Sequence, residues 1–344
     1  MLEGVQRMMF IGDSLTDGSD YPDYVVNTLN RQRPGAHIQC CNAAICGNTA
    51  DNLVKRLERD ILSQRPELVS ICIGTNDCPV RPVADYARDL EYLIARIKES
   101  GARVLLILPS PLGDPKREEA FQQYLNVIRD LGKKYHCPVA DAHGLFLQWM
   151  KEGKDMVGPD GVHHGANGFE GMARAVLDAL GFAGVPMVKT ITPWPDVLTN
   201  WEMSAPIPRD KAPANAKDIT AWKAYDHVKA AAAQPWYDAP FAARGGWMPF
   251  ALEKPAEPSV AFGRTCCDAD ADTVAEMQVG GSLPLKVWLN GELVWESTYY
   301  IGGHPNAARF PVRLHKGRNE IIALSNYFAF VGLRPLNTPS TGER

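Results

Sequence analysis

The sequence predicts a two-part chain, an α/β half followed by an all-β half, and three observations carry that expectation. Short β-branched runs alternate with helix-period stretches up to about residue 183; Pro-rich sequence then breaks the pattern; and apolar runs flanking an Asn-Gly return towards the C-terminal end. At roughly 150 residues per domain, 344 residues suit about two domains. Composition shifts at the same place. Residues 1–183 hold 10 of the 26 Pro and one of the eight Trp, Trp149, whereas residues 184–344 hold 16 Pro and seven Trp. We therefore expect domains at 1–183 and 184–344, the second opening on a linker.

Taken in order, residues 8–11 form an apolar run that stops at Gly12-Asp13-Ser14, and 38–44 form a second. Residues 68–73 are a third, stopping at Gly74-Thr75-Asn76-Asp77; 104–108 are a fourth and 138–142 a weaker fifth. Between them Leu53, Leu57 and Ile61, then Val83, Tyr86, Leu90, Leu93, Ile94 and Ile97, then Phe121, Leu125, Ile128 and Leu131, and finally Phe169, Met172, Val176 and Leu180 follow helical spacing. Strands apolar on both faces and separated by single helices read as parallel strands with right-handed crossovers, which puts helices on both sides of the sheet. The expectation is a three-layer α/β/α sandwich of about five parallel strands, flavodoxin-like. Past Gly184 the only sustained helical period is a weak one over 221–233. Leu285 to Leu289, Asn290-Gly291 and Leu293 to Trp295 then predict a hairpin, since Asn-Gly favours the tight turn that matches strand twist. Runs at 310–314 and 320–324 read as a second antiparallel pair, and 327–333 as one more strand, giving an all-β sandwich.

Charge and composition exclude several classes. Lys and Arg number 36 against 40 Asp and Glu, without a long single-sign run, so no electrostatic footprint for nucleic acid exists. The longest strongly apolar run, 104–108, is far shorter than the ~20 residues of a bilayer span. The start, MLEGVQRMMF, lacks the pattern of a secretory leader. The compartment stays open: cytoplasmic as the sequence stands, with export after leader removal as the alternative. Six of the eight Cys precede residue 140, and no C-x-x-C occurs. We read them as buried reduced thiols. Cys40, Cys41, Cys46 and His37 match no standard zinc spacing, so no metal is expected.

In parallel α/β sheets, ligands bind beyond the carboxyl ends of the strands. Gly12-Asp13-Ser14-Leu15-Thr16 lies at the end of the first run, Ile45-Cys46-Gly47-Asn48-Thr49 after the second, Gly74-Thr75-Asn76-Asp77 after the third and Asp160-Gly161-Val162-His163 after the fifth. Taken together, and in this order, the four blocks resemble those of the SGNH (GDSL) hydrolase family over residues ~7–183. The residue chemistry agrees. A serine hydroxyl needs an adjacent base, and imidazole titrates near working pH, so His163 suits Ser14. Asp160, three residues earlier, can accept the other ring N–H and fix the tautomer. The resemblance further implies an oxyanion hole from the Ser14 N–H, the Gly47 N–H and the Asn76 side chain, with no cofactor. His164 is a rival base, and Asp141 with His143 a minor rival pair. Asp13 and Asp77 read as turn and helix-cap carboxylates. No Gly-x-Ser-x-Gly elbow, H-E-x-x-H, Walker loop or G-x-G-x-x-G is present.

The second half, from Lys286 to Trp295 and from Val312 to Asn319, looks like jelly-roll domains that accompany carbohydrate-active enzymes. That resemblance implies glycan contact, with Trp288 or Trp295 stacking on a sugar ring; the alternatives are that both indoles are core or cross-strand partners, or that the module only shapes the pocket. The expected activity is a serine esterase removing acetyl or another short acyl group from a carbohydrate. A general arylesterase or lipase-type hydrolase and a non-catalytic carbohydrate-binding protein are the alternatives. The expected partner is an acylated carbohydrate or other small ester, with neither nucleic acid nor a membrane span.

Overall fold

The first, third and fourth apolar runs are strands whose side chains are buried on both faces. β1 (Arg7–Gly12), β3 (Leu68–Cys72) and β4 (Arg103–Leu108) are buried at every position but the first of β1 and β4. With β2 (Gln39–Asn42) and β5 (Val139–Asp141) they form a five-stranded parallel sheet of order β2-β1-β3-β4-β5. The computed structural model describes residues 1–17, 19–190, 196–213, 219, 222–224, 248–249, 259–281, 284–297, 308–326 and 328–336. The weak helical period expected over 221–233 therefore lies almost wholly outside the described residues. The chain divides into two compact units, Met1–Thr192 and Pro193–Arg344.

In the first unit the helices are α1 (Ser14–Asp17), α2 (Tyr21–Gln32), α3 (Ala50–Arg56), α4 (Val83–Glu99), α5 (Pro115–Tyr135), α6 (Ala142–Lys151) and α7 (Gly168–Ala179). The stripes expected for α4, α5 and α7 are the buried ones, except that Val83 and Phe169 are partly exposed. On one side of the sheet Val25, Val26 and Leu29 of α2 and Met172, Val176 and Leu177 of α7 pack with Met8, Phe10, Leu105 and Ile107. Each such fully buried side chain contributes about 1.5–3 kcal/mol. Three helices lie outside the expected set, the one-turn α1 together with α2 and α6. α2 carries a short stripe of Tyr21, Val25, Val26 and Leu29 and starts with Pro22 in its first turn; α6 starts where the Asp141 side chain accepts the Gly144 N–H. The Leu53, Leu57, Ile61 pattern is helical but not one helix. α3 passes into a π turn over Leu57–Ile61 and a 3₁₀ turn over Leu62–Gln64, a change that a four-residue apolar spacing does not register.

The second unit is antiparallel. β12 (Leu285–Leu289) and β13 (Glu292–Ser297) form the expected hairpin, with Asn290 and Gly291 both at positive φ (52° and 83°). β10 (Ser259–Ala269) and β15 (Gly317–Ser325) join them, together with the two-residue strands β6 (Glu202–Met203), β7 (Ile207–Pro208) and β8 (Lys223–Ala224). A second sheet has the order β14-β11-β16-β9, from β9 (Met248–Pro249), β11 (Thr273–Gly281), β14 (Ala308–Leu314) and β16 (Phe328–Pro335). Residues of both sheets, among them Met277, Val287, Leu314, Ile321 and Val331, share one core.

One expectation fails here. The runs at 310–314 and 320–324 are not a hairpin pair: β14 pairs with β11 and β15 with β10 and β12. The chain crosses between sheets at His315–Gly317. Asn319, fully buried, holds the crossing: its Nδ2 donates to the His315 and Gly317 carbonyls (2.8 and 3.0 Å), and its Oδ1 accepts from the His315 N–H and the Asn290 amide, each at 2.9 Å. A hairpin pattern and a sheet-to-sheet corner look alike in sequence when both carry Gly and Asn.

Candidate active site

The order β2-β1-β3 places the ends of β1 and β3 side by side, and there the chain's polar loops gather. Ser14 opens α1 directly after β1, and Asp13 C=O accepts the Thr16 and Asp17 N–H groups to close that turn. The loop that follows β2 is sewn to it: Cys46 N–H donates to Asp17 Oδ2 (2.9 Å) and Asn42 Nδ2 to the Thr16 carbonyl (2.9 Å). Gly47 sits in this loop at φ 76°, a conformation that favours glycine, and nothing lies within 4 Å of where a Cβ would project. After β3, Asn76 Nδ2 donates to the Asn48 carbonyl at 3.1 Å, and both oxygens of Asp77 accept the Ala50 N–H at 3.2 Å, capping α3. Arg81 pairs with Asp77 at 2.7 Å and Asp89 at 2.5 Å.

The fourth block lies between α6 and α7. Asp160 Oδ1 accepts the Val162 and His163 N–H groups at 2.9 and 3.0 Å, which folds the loop back so that His163 Nδ1 meets Asp160 Oδ2 at 2.5 Å. The other ring nitrogen, Nε2, lies 2.9 Å from Ser14 Oγ, 149 residues away in the chain. A hydroxyl hydrogen-bonded to a neutral imidazole, itself donating to a carboxylate, can lose its proton as it attacks an electrophile. The His163 hydrogen bond and the two backbone N–H groups hold the Asp160 carboxyl down at about 2. It stays an anion at any working pH. The side chains of Asp160 and His163 are each half exposed, so the assembly opens to solvent.

The structure thus joins Ser14, Asp160 and His163 directly and links Gly47 and Asn76 through Asn48. The rivals sit elsewhere. The His164 ring packs between Phe146 and Phe169, with centroids 5.6 and 5.7 Å away. His143 is buried and meets Glu118 at 2.8 Å, while Asp141 caps α6. Cys40 and Cys41 lie on β2, Cys46 is exposed in the next loop, and no disulfide joins any of the eight cysteines. Among the described residues no group of three or more His, Cys, Asp or Glu is placed to hold a metal ion, and no helix is long and apolar enough to cross a membrane. Sequence reasoning passed over Arg56, whose buried guanidinium reaches this site through Asn48 (2.9 Å), and Gly113, whose N–H donates to the Gly161 carbonyl at 2.7 Å. Neither contact has a local sequence signal.

In the second unit Trp288 is 6% exposed and packs near Phe262, and Trp295 stacks on Phe310 with centroids 5.2 Å apart. A cavity of ≈ 490 Å³ is lined by Arg209, Val260, Lys286, Trp288, Glu296 and Leu324, with Lys286 and Glu296 paired at 2.8 Å.

Residues 10–171 match the model of the GDSL-like lipase/acylhydrolase family, and the first unit belongs to that family. That unit is a carboxylic ester hydrolase of GDSL type. An acetylxylan esterase from Geobacillus stearothermophilus is 28% identical over 211 residues, covering 52% of this chain and 96% of that protein. The esterase TesA from Pseudomonas aeruginosa is 28% identical over 167 residues, 46% of this chain and 79% of its own. A crystal structure of an acetylxylan esterase from G. stearothermophilus covers 53% of this chain and 97% of its own at 27% identity and a TM-score of 0.48.

Proposed function

We propose that the chain is a serine esterase that removes acetyl or another short acyl group from a carbohydrate oxygen, with Ser14 as nucleophile, His163 as base and Asp160 as its support. The observation that carries this reading is the continuous contact Asp160–His163–Ser14 at the edge where Gly47 and Asn76 are also gathered. Ser14 Oγ attacks the ester carbonyl while its proton passes to His163 Nε2. The Ser14 N–H, the Gly47 N–H and the Asn76 amide stabilise the tetrahedral oxyanion, and each such donor is worth about 3–4 kcal/mol in the transition state. The C–O bond to the sugar breaks, and its alkoxide leaves with the proton from His163. Water, deprotonated by the same His163, then releases acetate and restores Ser14. No cofactor enters any step.

The carbohydrate half of the proposal draws on the likeness to an acetylxylan esterase and on the appended β module, residues 184–344, proposed as an accessory domain. The Trp288 indole is largely packed, and glycan contact is proposed at the cavity that it lines together with Lys286 and Glu296. The test is an acetate-release screen over acetylated xylan, pectin, chitin oligomers and aryl esters, with Ser14→Ala as blank. Release from an acetylated glycan that Ser14→Ala abolishes is the expected result. Activity retained in full by Ser14→Ala overturns the mechanism. A rate that rises with acyl-chain length selects the general esterase instead, and absence of fluorophosphonate labelling at Ser14 selects a non-catalytic protein.

A further inference from the structure

Arg56 is a cation with 6% exposure, and the site as described gives it no task. Its guanidinium forks. Nε donates to Asn48 Oδ1 at 2.9 Å, and Nη1 donates to the Ala43 carbonyl at 2.6 Å and lies 3.4 Å from Asp60 Oδ2. Asp60, fully buried, also meets Arg59 Nε at 2.5 Å, so the anion beneath Arg56 is held from two sides. Placing a guanidinium in an interior costs several kcal/mol in lost hydration, and replacing such a pair with apolar side chains is often neutral or stabilising. A planar fork does something an apolar side chain does not: it fixes two acceptors at a set separation.

Those two acceptors are the ends of one loop. Ala43 opens the segment that follows β2 and Asn48 closes it, with Gly47 between. The Asn48 carbonyl in turn receives Asn76 Nδ2 at 3.1 Å. A primary amide carries two N–H groups, so one held by Asn48 leaves the other to donate outward. Without that anchor the amide can rotate by half a turn and present its oxygen, an acceptor, where an oxyanion needs a donor.

We infer that Arg56 and Asn48 are positioning residues, a clamp that fixes the Asn76 amide with its donor facing the reacting carbonyl. The inference rests on the esterase reading above. Neither residue touches substrate; both act through Asn76. Asn48→Ala removes the side-chain acceptor and keeps the backbone carbonyl. Arg56→Lys keeps a positive charge against Asp60 but cannot hold Ala43 and Asn48 together.

The experiment is a double-mutant cycle on p-nitrophenyl acetate hydrolysis with Asn48→Ala, Arg56→Lys and Asn76→Ala, singly and paired, alongside melting temperatures. Asn76→Ala lowers kcat by about 10²–10³-fold, as loss of one oxyanion donor does. Asn48→Ala alone is expected to lower kcat by roughly 10–100-fold with KM within about twofold, and by less than about threefold once Asn76 is already Ala, because residues acting through one group are not additive. Arg56→Lys shows a smaller loss with the same collapse in the Asn76→Ala background, and carries the test if Asn48→Ala melts early. Losses that multiply in full in the double variants, or single variants within about twofold of the parent, overturn the clamp. If Ser14→Ala keeps full activity, the esterase reading falls and takes the clamp with it, an outcome separate from additivity.

Discussion

Asp13 lies directly before Ser14, the proposed nucleophile, and is fully buried. Its Oδ1 accepts the Leu15 N–H at 3.0 Å, and its Oδ2 is buried without a hydrogen-bond partner among the described residues. Burial pushes the carboxyl up from 3.8 to about 7, and the nearby Asp77 and Asp17 carboxylates add to the rise. Tyr21 of α2 and Cys72 of β3 are buried close enough to Asp13 to feel its charge. The folded state therefore binds this proton more tightly than the unfolded chain does. The stability it contributes is complete below pH ~4 and is lost as pH rises through about 7, at a slope of about 1.4 kcal/mol per pH unit in between. From pH 5 to pH 7 the loss is about 2 kcal/mol, the slope flattening near the top. Asp13→Asn replaces the protonated acid with an isosteric neutral amide that does not titrate. The variant should gain about 2 kcal/mol on the parent between pH 5 and 7. The assay is urea unfolding at pH 5, 6, 7 and 8, followed by pulse alkylation of Cys72 resolved by peptide mass spectrometry. Cys72 is fully buried beside Asp13, so it reports the first unit alone. A difference between the two proteins that is constant from pH 5 to pH 8 refutes a proton held on Asp13.

Three further outcomes are expected. Asp160→Asn should lower kcat by about 10²–10⁴-fold, since an amide favours the wrong imidazole tautomer; with Asp160 held at about 2, its contribution to stability is present above pH ~4 and lost only as pH falls through 2, so the parent's rate profile from pH 5 to 9 carries no break from this carboxyl. Gly113→Ala would put a Cβ 2.8 Å from the Gly161 Cα, pushing the Asp160–His163 loop off its support, and should cost about 1–3 kcal/mol in first-unit stability by urea unfolding and lower kcat more than it changes KM. Asn319→Ala strips four hydrogen bonds from the sheet-to-sheet crossing and should lower second-unit stability by roughly 2–4 kcal/mol, read from hydrogen exchange of β15 amides.

β1, β3 and β4 were legible because each is apolar on both faces, whereas β2 and β5 are short and partly exposed and were read from apolar runs that extend beyond them. α2 was not legible. Its stripe is four residues long and diluted by Asn and Arg, so its burial comes from packing on α7 rather than from periodicity strong enough to read. The hairpin at Asn290-Gly291 was legible because positive φ at two successive residues restricts the sequence. The pairing of β14 and β15 was misread because strand partners are non-local, and the Gly and Asn that turn a hairpin also turn a corner. Ser14, Asp160 and His163 were nameable from the chemistry of their short blocks, whereas Gly47 and Asn76 were nameable only through the family resemblance of theirs. Asp160 caps the turn that carries His163, so the pair is encoded within four residues.

What holds those blocks in register is of another kind. Parallel order β2-β1-β3 guarantees only that loops after three strands open on one edge; it does not set them to within the few tenths of an ångström that the proposed oxyanion contacts require. That tolerance is met by contacts between loops: Cys46 to Asp17, Asn76 to Asn48, Asn48 to Arg56, and Gly113 to Gly161. Each joins segments whose relation appears only after folding, and each ends on a backbone atom, an amide or a carboxylate, groups whose roles composition and spacing do not betray. A chain could keep all four blocks and lose the reaction through any of these ties. The proposed chemistry is therefore written locally, and its precision is supplied by the fold.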